Sequence, residues 1–270
     1  GGRAVLTHKW GSADEDQLRE QFRRAEAPEP LIVEADIRSN DDTARLFATI
    51  REHCGTLDAL ISNASAAVTV QSLDDLTERG FVESMRATVW PTVAYLLAAK
   101  RELGAYPRYV VAMSSDGPDR FTPAYDFVAS GKAALEALSR YLAYRLRDDG
   151  VRVNVLRSRG VKTDAFTDTF GAEFYGFLRS LVGDAWFVTP EEVGNAAFAL
   201  CSGMFDAMTG QVVMVDRGNT FADGIRGKTL PVRWAVRSTS GSRWPNVWPR
   251  AHSAPVVSMS RAGRCRSPTS

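Results

Sequence analysis

The chain has 270 residues, enough for one α/β domain with an appendage but too few for two full-sized enzyme domains. A net charge of +1 argues against a strongly basic nucleic-acid binder, but this charge is unevenly distributed. Residues 226–270 hold nine Lys and Arg and no acid, whereas residues 1–225 hold 32 Asp and Glu against 24 Lys and Arg. We therefore predict an acidic folded domain at 1–225 and a separate basic tail at 226–270.

Metal, disulfide and membrane signals are weak. The three cysteines form no CxxC pair and their odd number argues against a disulfide framework, while the three histidines lack metal-ligand spacing. No apolar run reaches the roughly 18 residues of a membrane span, and no charged-then-apolar signal segment opens the chain. We expect a cytoplasmic protein with no metal, no nucleic-acid partner and no membrane partner.

Strand and helix patterns alternate from residue 3 to about residue 216. Short, β-branched, apolar segments are typical of strands buried on both faces of a parallel sheet, and they lie at 3–7, 30–36, 58–62, 108–114, 151–156 and 210–216. Helices are predicted between them, at 13–26, 41–54, 74–103, 124–148 and 189–202. This alternation predicts an α/β fold with a doubly wound parallel sheet of the Rossmann type.

The tail at 226–270 has no apolar period. It contains eight Ser, five Pro and three of the six Trp of the chain. A basic tail of this kind can bind nucleic acid or acidic surfaces, but its aromatics are not interleaved with a folded basic face. We favour a disordered tail or an out-of-frame translation over a binding segment.

Short motifs recur along 1–225 in a fixed order. An acid follows the second predicted strand, SNA ends the third, a Ser pair ends the fourth, and Tyr and Lys come next; RVN and GQVVMVDRG close the series. This order resembles the short-chain dehydrogenase/reductase family. The resemblance implies a nicotinamide-dependent oxidoreductase that forms homodimers or homotetramers through the helices at 74–103 and 124–148.

Tyr125 and Lys132 are the predicted catalytic pair. Seven residues apart on a helix, they share one face. A phenol with a pKa of about 10 holds its proton tightly, and a nearby ammonium lowers that pKa and makes Tyr a workable acid or base. The resemblance implies that Ser115 binds the substrate oxygen, with Ser114 as the other candidate. The alternative is that Tyr125 is only an aromatic residue at the start of a helix and that Lys132 is a solvated charge on that helix, with no catalytic role for either.

Two finer similarities concern the substrate. The Tyr-x6-Lys spacing is similar to that of enoyl-acyl-carrier-protein reductases, whereas segments 6–16, 156–166 and 216–223 resemble ketoreductases of aromatic, angucycline-type polyketide pathways. We predict reduction of a polyketide-type ketone. The alternative is reduction of an enoyl thioester, so the small-molecule partner is an aromatic polyketide ketone or an acyl thioester.

Residues 166–187 contain seven aromatic side chains, with Phe166, Phe170 and Phe174 at helical spacing. In the family this segment forms a lid over the substrate, and an aromatic lid suits a large apolar or polycyclic substrate. A helix that packs its own apolar stripe explains the same pattern equally well.

The Gly-rich phosphate loop of the family is missing after the first predicted strand. Only one helix separates 3–7 from 30–36, so 3–7 corresponds to the second strand of the family. The next helix starts with Asp14, Glu15 and Asp16, which repel a pyrophosphate. We expect the chain to lack a first βα unit of about 30 residues, to leave a gap in its sheet and to bind cofactor poorly. A non-catalytic remnant is therefore the third functional hypothesis.

Cofactor contacts are implied by the resemblance at six positions. The first strand ends in His8 and Lys9 and lacks the acid that holds a ribose 2′-hydroxyl, which favours NADPH over NADH. The others are Asp36 near the adenine, Asn63 along the cofactor, Lys132 at the ribose and Thr163 at the nicotinamide. The sequence departs from the family pattern at Ser65 (Gly in the family), Thr88 (Asn) and Arg159-Gly160 (Gly-Pro).

Overall fold

Six short parallel strands alternate with helices along the part of the chain that the structure describes. The structure is a computed structural model that describes residues 2–9, 13–65, 68–163, 166–167 and 171–221. The strands are β1 (Val5–His8), β2 (Leu31–Glu34), β3 (Ala59–Ser62), β4 (Tyr109–Ser115), β5 (Arg152–Ser158) and β6 (Val212–Val215). The helices are α1 (Glu15–Arg24), α2 (Asn40–His53), α3 (Glu78–Thr88), α4 (Trp90–Leu103), α5 (Asp126–Arg145), α6 (Ala172–Val182) and α7 (Pro190–Cys201).

The predicted α/β fold with a parallel sheet is confirmed. Local sequence explains where several helices begin, because short polar side chains accept hydrogen bonds from the free backbone N–H groups of the first turn. A capping box forms at the start of α7: Glu192 N donates to Thr189 Oγ1 at 3.2 Å, and Thr189 N donates to the Glu192 carboxylate at 2.8 Å. The tail at 226–270 lies outside the described residues, so the two-domain division stays a prediction.

The strands form two separate parallel sheets. One pairs β1 with β2, and the other has the order β3-β4-β5-β6. Within the described ranges β1 pairs with no strand except β2, and β3 with none except β4. The division falls between β1 and β3, where the sequence predicts a gap.

One predicted helix is wrong in its extent. The segment 74–103 is divided at Val89 into α3 and α4, preceded by a short 3-10 turn at Leu73–Asp75. Pro91 explains the division, because proline lacks the N–H that would continue the hydrogen-bond ladder and its ring collides with the preceding turn.

Helices cover both faces of the four-stranded sheet. Val110 and Val153 pack in a core with residues of α2, α4 and α5. On the opposite face, Val111 and Leu156 pack against Ala197 and Leu200 of α7. The sheet is thus buried on both sides, and the carboxyl ends of β4 and β5 meet at one edge, where ligands bind in folds of this kind.

Candidate active site

Two hydroxyl groups meet at the carboxyl end of β4. Ser115 is the last residue of this strand, and Tyr125 is the residue immediately before α5. The Tyr125 hydroxyl donates to Ser115 Oγ at 3.3 Å, and the backbone N–H of Gly117 donates to the same oxygen at 3.3 Å. A substrate oxygen that enters this point can accept hydrogen bonds from both side chains.

The backbone on both sides of Tyr125 is specialised. Ala124, directly before it, has a φ of 62°, a left-handed conformation that costs a non-glycine residue about 1–3 kcal/mol. The ring of Tyr125 lies against Gly117, where an added Cβ would meet the ring at 2.9 Å. Strain and close packing together fix the direction of the phenol.

Ser114, the other candidate for the substrate oxygen, points away from Tyr125. Adjacent residues of a strand face opposite sides of the sheet, and Ser114 is buried beneath α5. Its hydroxyl donates to Glu136 at 2.6 Å. The geometry therefore brings Ser115, and not Ser114, to the tyrosine.

Lys132 is buried between α5 and β4. Its ammonium donates to the carbonyl oxygen of Met113 at 2.8 Å. Burial disfavours the charged form and lowers the pKa of Lys132 to about 8. The lysine thus ties the catalytic helix to the strand that carries Ser115.

The expectation that Lys132 lowers the pKa of Tyr125 is wrong for this arrangement. The pKa of Tyr125 is raised, chiefly because the phenol is buried and further because Asp116 is nearby; the hydrogen bond with Ser115 acts in the opposite direction. Tyr125 is also the residue that caps the helix, and not a residue within it as expected.

A cavity of about 370 Å³ lies at the carboxyl ends of β1 and β2. His8 contributes an unusual feature to it, because the histidine side chain is only 9% exposed and its buried Nδ1 has no hydrogen-bond partner in the described part of the chain. The other ring nitrogen lies 3.0 Å from Glu15. The polar side chains that line the cavity are Thr7, His8, Lys9, Asp36, Arg38 and Ser65.

Lys9 is paired with an acid in this cavity. Its ammonium lies 2.6 Å from Asp36, and Arg38 binds the same carboxylate at 3.0 Å. These contacts, with the Arg38 hydrogen bond the largest influence, hold the pKa of Asp36 far below its usual range. A ligand phosphate therefore has to compete with Asp36 for Lys9.

The remaining predicted cofactor residues lie at the same edge of the sheet. Asn63 directly follows β3 and is exposed, while Thr163 Oγ1 accepts from the N–H of Phe166 at 3.2 Å. Two positions that depart from the family pattern contact each other, since the Ser65 and Thr88 hydroxyls are 2.9 Å apart. One substitution thus supplies the hydrogen-bond partner of the other.

The aromatic segment packs largely on itself. Phe166 has its ring centre 6.5 Å from that of Phe174 and 6.1 Å from those of Tyr175 and Phe187. Phe170 lies outside the described residues. These contacts agree with an apolar stripe, and the lid role stays a prediction.

Two ion pairs near the site were not predicted from the sequence. Glu136 on α5 and Arg157 on β5 form a bidentate pair with distances of 2.6 and 2.9 Å, and their side chains are 4% and 9% exposed. Asp116 and Arg159 form a second pair at 3.0 Å. Arg157 directly follows the apolar strand predicted at 151–156. Its position could have indicated an ion pair, because a buried guanidinium requires an acidic partner.

Two negative findings apply to the described residues. None of their helices combines the length and apolar character needed to cross a membrane. Among the same residues, no group of three or more His, Cys, Asp or Glu is arranged to hold a metal ion.

Comparison with known proteins assigns the family. Residues 1–220 match the family model described as enoyl-(acyl carrier protein) reductase. The chain belongs to the short-chain dehydrogenase/reductase family. Members of this family are NAD(P)H-dependent oxidoreductases, so the predicted family and enzyme class are confirmed.

Individual relatives agree with this assignment. The enoyl-[acyl-carrier-protein] reductase [NADH] of Enterococcus faecalis is 29% identical over 225 residues, which are 81% of this chain and 86% of the relative. The 1-cyclohexenylcarbonyl-CoA reductase of Streptomyces collinus is 27% identical over 243 residues, which are 86% of this chain and 85% of the relative. The crystal structure of the Aquifex aeolicus enoyl-[acyl-carrier-protein] reductase (NADH) superposes with a TM-score of 0.70 at 26% identity, over 83% of this chain and 87% of that one.

Proposed function

We propose that this short-chain dehydrogenase/reductase reduces a carbonyl group of an apolar, polyketide-type ketone. The observation that carries the proposal is the 3.3 Å contact between the Tyr125 and Ser115 hydroxyls at the carboxyl end of β4. Two O–H donors that converge on one point stabilise the negative charge that develops on a carbonyl oxygen.

Each residue of the site has a separate task in this proposal. Ser115 orients the carbonyl oxygen, and Tyr125 gives its phenolic proton to that oxygen as the alcohol forms. Lys132 holds α5 against β4 through the Met113 carbonyl and is the candidate to bind the cofactor ribose. Its lowered pKa makes proton exchange near neutral pH easier.

The cavity beside β1 and β2 fits the adenosine end of a nicotinamide cofactor. The buried His8 Nδ1, which has no hydrogen-bond partner among the described residues, and the Lys9, Asp36 and Arg38 side chains suit a polar ligand with hydroxyl or phosphate groups. When bound, a reduced nicotinamide supplies the hydride. The start of α1 is poorly suited to the pyrophosphate, because Asp14 already caps it and Glu15 and Asp16 occupy its first turn.

Reduction of an enoyl thioester is the second candidate. It is favoured by the family model and by relatives named as enoyl-[acyl-carrier-protein] reductases. The same Ser115 and Tyr125 hydroxyls serve this reaction by stabilising the enolate oxygen of the thioester. The predicted role of the Phe166 segment as an aromatic lid favours a bulky ring substrate instead.

A direct assay separates the candidates. The purified chain is mixed with NADH or NADPH and either a bicyclic aromatic ketone or a short trans-2-enoyl-CoA, and loss of reduced-nicotinamide absorbance is followed. Faster turnover of the ketone supports our proposal, and faster turnover of the enoyl thioester supports the second candidate. No turnover of either substrate contradicts both and supports a non-catalytic remnant.

The cofactor preference is a further prediction. The sequence favours NADPH because of His8 and Lys9. The Lys9–Asp36 contact and the relatives named for NADH favour NADH instead. We expect weak binding of both forms, and we expect Asp36→Asn, which releases Lys9, to increase the affinity for NADPH about tenfold relative to NADH. Fluorescence titration measures both dissociation constants. Micromolar binding by the parent chain, or an unchanged ratio in Asp36→Asn, contradicts this prediction.

A further inference from the structure

Arg159 lies where four loops meet beside the proposed catalytic tyrosine. It follows β5, and its Nε lies 3.0 Å from the carboxylate of Asp116, in the loop after β4. Its guanidinium also stacks 5.2 Å from the ring centre of Trp186 and donates to the carbonyl of Asn219 at 3.4 Å, in the loop after β6. The side chain is mostly buried, so these contacts determine its position.

The residues around Arg159 hold each other in place. Asn219 donates through its side chain to the carbonyl of Trp186 at 2.8 Å, and the Trp186 ring packs on Gly160. An arginine stacked on a tryptophan keeps its charge while losing little freedom when it binds an acid. Arg159 is thus a prearranged partner for Asp116.

Asp116 connects this arrangement to Tyr125. It stands between Ser115, which accepts from the Tyr125 hydroxyl, and Gly117, whose backbone lies against the Tyr125 ring. Burial is the main reason that the pKa of Tyr125 is raised, and the Asp116 carboxylate raises this pKa further. An unpaired carboxylate at this position would oppose the phenolate more strongly than one that is bound to a cation.

We propose that Arg159 is a positioning residue for Tyr125, because it binds the Asp116 carboxylate, offsets its negative charge beside the phenol and anchors the loop that packs on the ring. This inference rests on the proposed role of Tyr125 as proton donor. Arg159 acts through Asp116 and is not itself a catalytic residue.

Other charges around the site are already engaged. Lys132 faces the site from α5 and is hydrogen-bonded to Met113, while Asp216, after β6, interacts with Arg159. Arg157 is engaged by Glu136 of α5 and by Asp119, in the loop after β4. Removal of the Arg159 charge therefore acts on Tyr125 chiefly through Asp116.

The test is a titration of Tyr125 in the absence of substrate and cofactor. 3-Fluorotyrosine is incorporated at position 125 of the full chain, and its ionisation is followed by fluorine NMR. We expect Arg159→Gln to raise the pKa of this residue by about 0.5, the size expected for loss of a partly screened charge nearby, and Arg159→Lys to restore it. Asp116→Asn is expected to lower it.

Arg120→Gln is the matched control, because Arg120 lies in the same loop but its side chain binds the carbonyl of Thr220. This variant is expected to leave the pKa unchanged. An unchanged or lowered pKa in Arg159→Gln overturns the inference, as does an unchanged or raised pKa in Asp116→Asn if Arg159→Gln does not fold. Because the readout needs no turnover, a failure here is distinct from a failure of the proposed function, which the substrate assay reveals.

Discussion

Replacement of Tyr125 by Phe will reduce carbonyl turnover by about 100- to 10,000-fold, the usual contribution of a positioned proton donor. The variant removes one oxygen and leaves the ring in place against Gly117, so the fold should not change. Because Ser115 retains the hydrogen bond from the Gly117 N–H, the variant isolates the loss of the phenolic proton. The measurement is kcat/KM from loss of reduced-nicotinamide absorbance, with circular dichroism as the check on folding.

Tyr141→Phe is the control for this experiment. Tyr141 lies on the same helix, α5, but its side chain is 69% exposed and far along the helix from Ser115. This variant should retain the parent rate. If Tyr125→Phe also retains that rate, Tyr125 is not the proton donor and the proposed mechanism is wrong.

Replacement of Arg157 by Met will destabilise the fold by about 3–5 kcal/mol, because it leaves the Glu136 carboxylate buried without its cation. The pair ties α5 to β5, and Ser114 of β4 donates to the same carboxylate. Urea unfolding monitored by circular dichroism measures the change in the free energy of unfolding. The double variant Arg157→Met, Glu136→Leu should recover most of the loss, since no buried charge then remains unpaired.

Arg51→Met provides the comparison for a surface pair. Arg51 binds Glu102 at 2.8 Å, but its side chain is well exposed, and exposed pairs contribute only about 0–1 kcal/mol. If Arg157→Met and Arg51→Met lose the same free energy of unfolding, burial does not determine how much an ion pair contributes. A double variant less stable than Arg157→Met would contradict the explanation by an unpaired charge.

The sequence was sufficient for the elements whose cause is local. Alternating β-branched strands and helices indicated the parallel α/β fold, and Thr189 with Glu192 marked the start of α7, because capping and periodicity depend on neighbouring residues. The order of short motifs placed Ser115, Tyr125 and Lys132 at one edge of a sheet, because parallel strands end at the same edge.

Contacts between distant segments were decided only by the tertiary structure. The direction of the Lys132 ammonium, towards Met113, depends on how α5 lies on β4, and the resulting burial of the phenol reverses the expected change in the pKa of Tyr125. In the same way, only the tertiary structure brings Lys9 and Arg38 to the Asp36 carboxylate, to which both donate.

The unequal charge of the chain shows the same division. The sequence by itself determined that the acids lie within residues 1–225, which carry the reductase motifs, and that the basic excess lies within residues 226–270. Only the tertiary structure decided which of these charges are buried and paired, such as Glu136 with Arg157 and Asp116 with Arg159. A pairing of this kind depends on desolvation and on distances across the fold, which no local pattern of residues records.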